Sequence, residues 1–208
     1  FLSRELNKYA RGSRSYTQIA QQVLPERLTP LPDVTAEPTI PPGNTQVSNT
    51  VTVAPPPRPT LSSLEMELRQ VEAILPVDFN KLHGINPSAI GWIYNQGTTL
   101  DYPVVQGNDN EYYLKHLIDG TENKLGSIFM DSRNQANFSD DITVIYGHNL
   151  EDGSMFTSLE KYKQQSFYEQ HPHMYLRTPG AILRVELFSG MLIRPAEMDA
   201  FRLNFSNA

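Results

Sequence analysis

The five histidines are the first residues in this sequence that could carry chemistry, because an imidazole can donate or accept a proton near neutral pH. They are His83, His116, His148, His171 and His173. His148 is distinctive because it ends an apolar run, in Tyr146-Gly147-His148-Asn149, and a polar loop follows it. A polar side chain in this position is typical of a site at the rim of a sheet or barrel. The position alone leaves a structural or merely exposed histidine open.

A metal site is a second hypothesis, which rests on His171 and His173. Two histidines at i and i+2 on a strand point to the same face, and His148 could supply a third ligand. Pro172 between them and the lack of an acidic partner at a defined spacing weaken this histidine–metal hydrolase hypothesis. The acidic pair at 140–141 is better explained as a turn before a strand. We therefore predict no metal and no cofactor.

Composition argues against several classes of function. The sequence has 17 Lys and Arg against 23 Asp and Glu, a formal net charge of −6, which is unlike a general nucleic-acid binder. It has no cysteine, and so no disulfide, no thiolate metal site and no thiol nucleophile of its own. No run approaches the length of about 20 apolar residues that spans a membrane. Because the sequence begins at Phe1 rather than Met, we expect a native N-terminus, with any signal or anchor, to have been removed.

The pattern of residues divides the chain into three zones. Residues 1–24 have apolar side chains at three- and four-residue spacings, which predicts a helical segment that Gly12 and Ser13 could split in two. Residues 25–60 hold ten of the sixteen prolines. A segment so rich in proline cannot pack a core, so it is predicted to be a linker. Residues 61–208 have the pattern of a folded domain.

This folded domain is predicted to be mainly β with peripheral helices. A capping pattern and an apolar stripe predict a helix at 61–75, and a second helix is predicted at about 155–169. Short β-branched or aromatic runs, separated by Gly, Asn and Asp, predict the strands. These are 90–94, 102–106, 112–117, 127–130, 143–146, 173–178 and 181–193. Many short strands with few helices favour a closed or nearly closed barrel over a doubly wound sheet.

Six sequence blocks, each weak alone but specific in their order, carry a resemblance to a known family. They are INPSAIGWI at 85–93, YPVVQ at 102–106, DNEYYL at 109–114, GSIFMD at 126–131, YGHN at 146–149 and DGSMF at 152–156. Their order and spacing resemble the class B sortases, and the resemblance covers about residues 77–205. The segments before it match the family only in general character.

The resemblance implies a sortase-type β-barrel preceded by N-terminal helices. It also implies a cysteine transpeptidase on the extracellular face of the plasma membrane of a Gram-positive bacterium, held by a single-pass N-terminal anchor that is not in this chain. Such an enzyme cleaves a C-terminal sorting motif after Thr, forms a thioacyl-enzyme and transfers the protein to an amine. The implied partners are surface proteins that bear the sorting motif, and a cell-wall peptide or a pilin lysine as the amine acceptor.

In this chemistry a thiolate attacks a peptide carbonyl, a histidine transfers protons, and an arginine holds the substrate or the oxyanion. The matching motif makes His148 the family's catalytic histidine and places Asn110, Leu114 and Phe201 at substrate-binding positions. The family's Cys and Arg follow the segment that resembles residues 198–207, whereas this sequence ends at Ala208. We therefore expect both residues to be absent from the chain as given, and the chain to be inactive by itself.

The sequence leaves alternatives open for the site and for the function. Asn110 could be a turn asparagine and Leu114 a core leucine. The chain could also be a catalytically inactive sortase-like domain that binds sorting peptides or acts as a scaffold, which the lack of cysteine formally favours. A barrel without its last two strands exposes its edges, so we expect residues 1–208 not to fold stably alone.

Overall fold

The computed structural model describes residues 2–24 and 61–191 of the chain. The predicted linker at 25–60 lies outside the described residues, and so does the segment at 198–207 with Phe201. The described helices are α1 (Leu2–Val23), α2 (Leu61–Ile74), α3 (Phe79–Ile85) and α4 (Gln165–Gln170), with two 3₁₀-helices, η1 (Tyr112–Leu114) and η2 (Phe156–Lys163). The strands are β1 (Ala89–Tyr94), β2 (Asp101–Gln106), β3 (Ile128–Met130), β4 (Ile145–Tyr146), β5 (His173–Arg177) and β6 (Ile182–Glu186).

The six described strands form one mixed sheet in the order β4-β3-β2-β1-β5-β6. Only the β2–β3 pair is parallel, with Gln106 opposite Met130, and the other pairs are antiparallel. The sheet curves into a half-barrel with a few helices around it. This architecture confirms the predicted class, mainly β with peripheral helices.

The core lies around the central strand β1, which is buried on both of its faces. Five of its six residues are buried, and β2 and β5 pair with its two edges. Trp92 is fully buried, and its indole N–H donates a 2.7 Å hydrogen bond to the carboxylate of Asp101 at the start of β2. A buried indole N–H needs such an acceptor, so this bond fixes the largest core side chain in place.

Helix α1 packs against the domain through its second half and runs without a break past Gly12. A Cβ on Gly12 would lie 2.8 Å from Leu125 Cδ2, so the glycine permits close packing rather than splitting the helix in two. Further along, the buried Tyr16 donates a 2.8 Å hydrogen bond to the carbonyl oxygen of Gly126. Its hydroxyl also lies 2.8 Å from the hydroxyl of Ser127. These contacts join the N-terminal helix to the segment that leads into β3.

Three predicted elements differ from the observed ones. The strand predicted at 112–117 is wrong, because Tyr112–Leu114 forms η1 instead. The carboxylate of Asp109 accepts hydrogen bonds from the backbone N–H groups of Glu111 and Tyr112, both at 2.8 Å, and starts this turn. The helix predicted at 155–169 is divided into η2 and α4, and the strand predicted at 181–193 is shorter, since β6 ends at Glu186.

The short helix α3 was not predicted. Its N-cap is Asp78, whose carboxylate accepts a 3.1 Å hydrogen bond from the N–H of Lys81. Leu82 is buried, and Phe79 and Ile85 are partly buried against the core. With seven residues, the helix is too short for this apolar spacing to stand out in the sequence.

We predict that Tyr16→Phe lowers the free energy of unfolding by about 1–2 kcal/mol, because the buried carbonyl of Gly126 then loses a hydrogen-bond donor. Urea unfolding of the purified full-length protein measures the change. Tyr112→Phe is the matched control, because Tyr112 is 44% exposed whereas Tyr16 is 6% exposed. Equal unfolding midpoints for the two variants would contradict the role given to the Tyr16 hydroxyl.

Candidate active site

His148 follows β4, the two-residue strand at the edge of the described sheet. Tyr146 pairs with Phe129 and Ile145 with Met130, so both residues of β4 are paired with β3. The imidazole is half-buried, and its Nε2 atom is buried without a hydrogen-bond partner among the described residues. A buried polar atom that lacks a partner is uncommon, and a catalytic role is one of its established explanations. His148 is therefore the strongest candidate for chemistry in the described part of the chain.

Backbone and side-chain hydrogen bonds hold the loop that follows His148 against η2. The N–H of Phe156 donates to the carbonyl oxygen of His148 at 2.9 Å. The hydroxyl of Thr157 accepts from the N–H of Leu150 at 2.7 Å and donates to the carbonyl oxygen of the same residue at 2.8 Å. The position of the histidine is thus set by bonds within residues 148–157.

Gly147 lies beneath the ring of Phe156, directly before the histidine. A Cβ at this position would lie 2.6 Å from Phe156 Cδ2, closer than real Cβ contacts come. The sequence therefore needs glycine here for close packing, since a larger residue would push the phenyl ring or the histidine backbone away.

Met155 has a strained backbone and connects the loop to the rest of the domain. Its φ of 54° and ψ of −126° are unusual for any residue with a side chain, and the side chain is fully buried. Its N–H donates a 3.2 Å hydrogen bond to the hydroxyl of Tyr102 on β2. The Tyr102 ring meets that of Tyr16 edge to face, with centroids 5.4 Å apart. The histidine loop is thereby linked through β2 to helix α1.

Asp131 is a buried acidic residue at the end of β3 and lies close to both β4 and the loop after β2. Its carboxylate accepts from the hydroxyl of Tyr146 at 2.8 Å and from the side-chain amide of Asn110 at 2.9 Å. It also forms an ion pair with Arg133, whose Nη2 and Nε atoms donate at 2.7 and 2.9 Å. The guanidinium of Arg133, followed by the other donors, holds the pKa of Asp131 well below its usual range. Burial and the bond to this carboxylate raise the pKa of Tyr146.

The parallel pairing of β2 and β3 explains why Asn110 and Asp131 meet. The two strands end opposite each other, at Gln106 and Met130. The residues that follow them must therefore lie at the same edge of the sheet. The amide oxygen of Asn110 accepts a 2.8 Å hydrogen bond from the N–H of Ser132, while its amide nitrogen donates to Asp131.

The structure brings only some of the predicted site residues together. Asn110 and Tyr146, on the strand before His148, share the hydrogen-bond network of Asp131. Leu114 lies on η1, where its half-buried side chain packs against the core. Phe201 lies outside the described residues. Sequence reasoning missed Asp131, although the acidic residue at the end of the apolar run 127–130 was a visible signal.

The other four histidines have partners of their own. His83 bonds the carbonyl oxygen of Ala89, His116 stacks on Tyr112, His171 contacts Phe167, and His173 pairs with Glu67.

Within residues 2–24 and 61–191, no group of three or more His, Asp or Glu side chains is arranged to hold a metal ion. None of the helices in these two ranges combines the length and the apolar character of a membrane span.

We predict that Gly147→Ala destabilises the protein by about 1–3 kcal/mol, because the added methyl group clashes with the Phe156 ring. The imidazole resonances of His148 should shift at the same time, since the strain falls on its backbone. Gly180→Ala is the matched control, because an added Cβ there meets nothing within 4 Å. Urea unfolding and NMR measure the two effects. Similar unfolding midpoints and unmoved His148 resonances in both variants would show that Gly147 is not needed for packing.

Comparisons with known proteins point to one family. The chain is 39% identical over 112 residues to sortase B of Listeria monocytogenes, and 45% identical over 111 residues to sortase B of Staphylococcus aureus. These matches cover 54% and 53% of this chain and 46% of each relative, so the chain spans about half the length of the curated relatives it matches. No protein-family model matches the chain.

Solved structures extend the match. The X-ray structure of Clostridium perfringens sortase B is 34% identical with a TM-score of 0.59, and the match covers 62% of this chain and 71% of that one. The Staphylococcus aureus sortase B–substrate complex is 33% identical with a TM-score of 0.60, and the match covers 70% and 67%. At these identities over most of a solved relative, the half-barrel and the ordered sequence blocks have one explanation: the chain belongs to the class B sortases.

Proposed function

We propose that this chain supplies the histidine-bearing part of a sortase-type cysteine transpeptidase, with His148 as its catalytic acid and base. The observation that carries the proposal is the buried Nε2 atom of His148, which lacks a partner among the described residues and lies in a chain of the sortase B family. An imidazole held in this way can pass a proton to and from a reacting group.

The proposed reaction has two steps. A cysteine thiolate attacks the carbonyl carbon of a threonine in the sorting motif, and His148 protonates the amine that leaves, which yields a thioacyl-enzyme. His148 then takes a proton from the incoming amine as that amine displaces the thiolate and forms a new amide bond. The 208 residues contain no cysteine, so the thiolate has to come from outside this sequence. By family analogy an arginine outside it stabilises the oxyanion.

Substrate binding is proposed for Asn110, Leu114 and Phe201. Asn110 carries the best structural support, because its amide is fixed at the edge of the sheet where β2 and β3 end. The proposed partners are surface proteins with a C-terminal sorting motif and the amine of a cell-wall peptide or a pilin. One sortase B relative, from Staphylococcus aureus, has been solved as a substrate complex, which supports a substrate-binding role for the corresponding part of this chain.

The proposed location is the extracellular face of the plasma membrane of a Gram-positive bacterium, with a single-pass N-terminal anchor outside this chain. Residues 25–60, which hold ten of the sixteen prolines, are proposed to be the linker between the N-terminal helical segment and the catalytic domain.

We predict that the full-length protein cleaves a fluorescence-quenched sorting peptide, and that His148→Ala lowers kcat by at least about 100-fold, the usual contribution of general acid–base catalysis. His116→Ala is the matched control, because that histidine is partly exposed and stacks on Tyr112. Circular dichroism shows whether each variant is folded. A folded His148→Ala variant with a near-normal rate would remove His148 from the mechanism.

The same assay distinguishes the enzyme from a binding domain. Peptide binding without cleavage by the full-length protein would favour a non-catalytic sortase-like scaffold. The 208-residue chain tested alone is expected to cleave nothing, because it has no thiol to form the thioacyl-enzyme.

A further inference from the structure

The carboxylate of Asp131 accepts more hydrogen bonds than a simple ion pair requires. It is completely buried, whereas its partner Arg133 is 65% exposed. Besides the guanidinium and the backbone N–H of Arg133, it accepts from the side chains of Asn110 and Tyr146. Those two residues belong to different elements, the loop after β2 and the end of β4. A single buried charge therefore ties together two segments that are adjacent to the proposed site.

The bond from Asn110 determines which way its amide points. The nitrogen donates to the carboxylate at 2.9 Å and the oxygen accepts from the N–H of Ser132 at 2.8 Å. A flipped amide would place its oxygen against the Asp131 carboxylate, where the two negative dipoles repel each other. The amide nitrogen has two hydrogens, and among the described residues only one of them has an acceptor. The second N–H is left to donate to a ligand, and a peptide carbonyl is the acceptor it suits.

The hydrogen bond from Tyr146 to Asp131 restrains β4, the strand that precedes His148. Strand β4 has only two residues, so its ladder with β3 gives it little support. The Tyr146 hydroxyl adds a charge-assisted hydrogen bond at 2.8 Å, and its ring packs on Phe129 with centroids 5.1 Å apart. Tyr146 and His148 are two residues apart, so a shift of one displaces the other.

We propose that Asp131 is a positioning residue, which holds the peptide-binding amide of Asn110 and the imidazole of His148 in a fixed relation. This inference rests on the proposed function, because it gives both residues their roles in the sortase reaction. Asp131 itself touches no reacting atom. It acts on peptide binding through Asn110 and on proton transfer through Tyr146 and the strand before His148.

The test compares Asp131→Asn with Arg133→Gln in the full-length protein. Both variants remove the ion pair, but only Asp131→Asn removes the charged acceptor of Asn110 and Tyr146. We expect kcat/KM for a quenched sorting peptide to fall about 100-fold in Asp131→Asn, with KM raised and kcat lowered, because catalytic groups displaced by about 1 Å lose that much. Arg133→Gln should stay within about fivefold of the wild type, since its guanidinium is mainly exposed. Equal losses in the two variants, or a normal kcat/KM in a folded Asp131→Asn protein, would overturn the proposal.

A second measurement does not depend on cleavage. The side-chain amide protons of Asn110 should have well-separated NMR shifts in the wild type and in Arg133→Gln, because one of them is bound to a carboxylate. In Asp131→Asn the two shifts should approach each other, and unmoved shifts would overturn the positioning role. If the wild type cleaves no peptide, the proposed function fails, and the amide shifts still decide what Asp131 does.

A milder variant covers the case in which Asp131→Asn does not fold. Tyr146→Phe keeps the ring on Phe129 and removes only the donor to Asp131. It should lower kcat about tenfold and leave KM unchanged, because a hydrogen bond to a charged group is lost on the histidine side alone. An unchanged kcat in Tyr146→Phe would contradict the proposed route from Asp131 to His148.

Discussion

The buried carboxylate of Asp131 has to be surrounded by donors, because an isolated charge removed from water is very costly. The chain meets this demand with one cation and two neutral side chains, from Arg133, Asn110 and Tyr146. These donors come from three places in the sequence, so satisfying the charge also fixes the geometry of three segments. The lowered pKa of Asp131 is the electrostatic counterpart of this arrangement, since every donor around it favours the ionised form.

The loop after His148 adds a second constraint of a different kind. Gly147 accepts close packing by Phe156, and Met155 adopts a strained backbone with its side chain fully buried. Such a conformation persists only where surrounding contacts outweigh its cost. Here the contacts are the hydrogen bond to Tyr102 and the bonds between residues 148–157. Because Tyr102 also packs against Tyr16, helix α1 belongs to the framework of the histidine loop.

Local patterns in the sequence predicted the elements whose conformation follows from the residue types within them. Strands β1 and β2 appear within one residue of the predicted 90–94 and 102–106, because β-branched and aromatic runs suit a buried strand. The same rule wrongly predicted a strand at 112–117. There the carboxylate of Asp109 stabilises a turn, which the pattern of apolar and polar residues does not reveal. The fold class followed from the number and length of the strands, whereas the order β4-β3-β2-β1-β5-β6 did not.

The residues of the candidate site also differ in whether the sequence could predict their roles. His148 could be singled out from its position after an apolar run and from a motif of four residues. Asp131 could not be assigned a role, because its partners Asn110 and Tyr146 lie 21 and 15 residues away. Asn110 reaches it through the parallel β2–β3 pair and Tyr146 through the antiparallel β3–β4 pair. Contacts of this type depend on tertiary pairing rather than on spacing.

Bonds within the described residues hold His148 in place, and this bears on how the proposed site is assembled. The backbone of the histidine is fixed by Phe156, and its strand by Tyr146 and β3. These contacts hold the histidine backbone without a group from outside the described residues. Groups oriented in advance lose less entropy on reaching the reactive arrangement. Within the described residues the buried Nε2 atom has no partner, which carries a desolvation cost that a hydrogen-bonding ligand at the proposed site would recover.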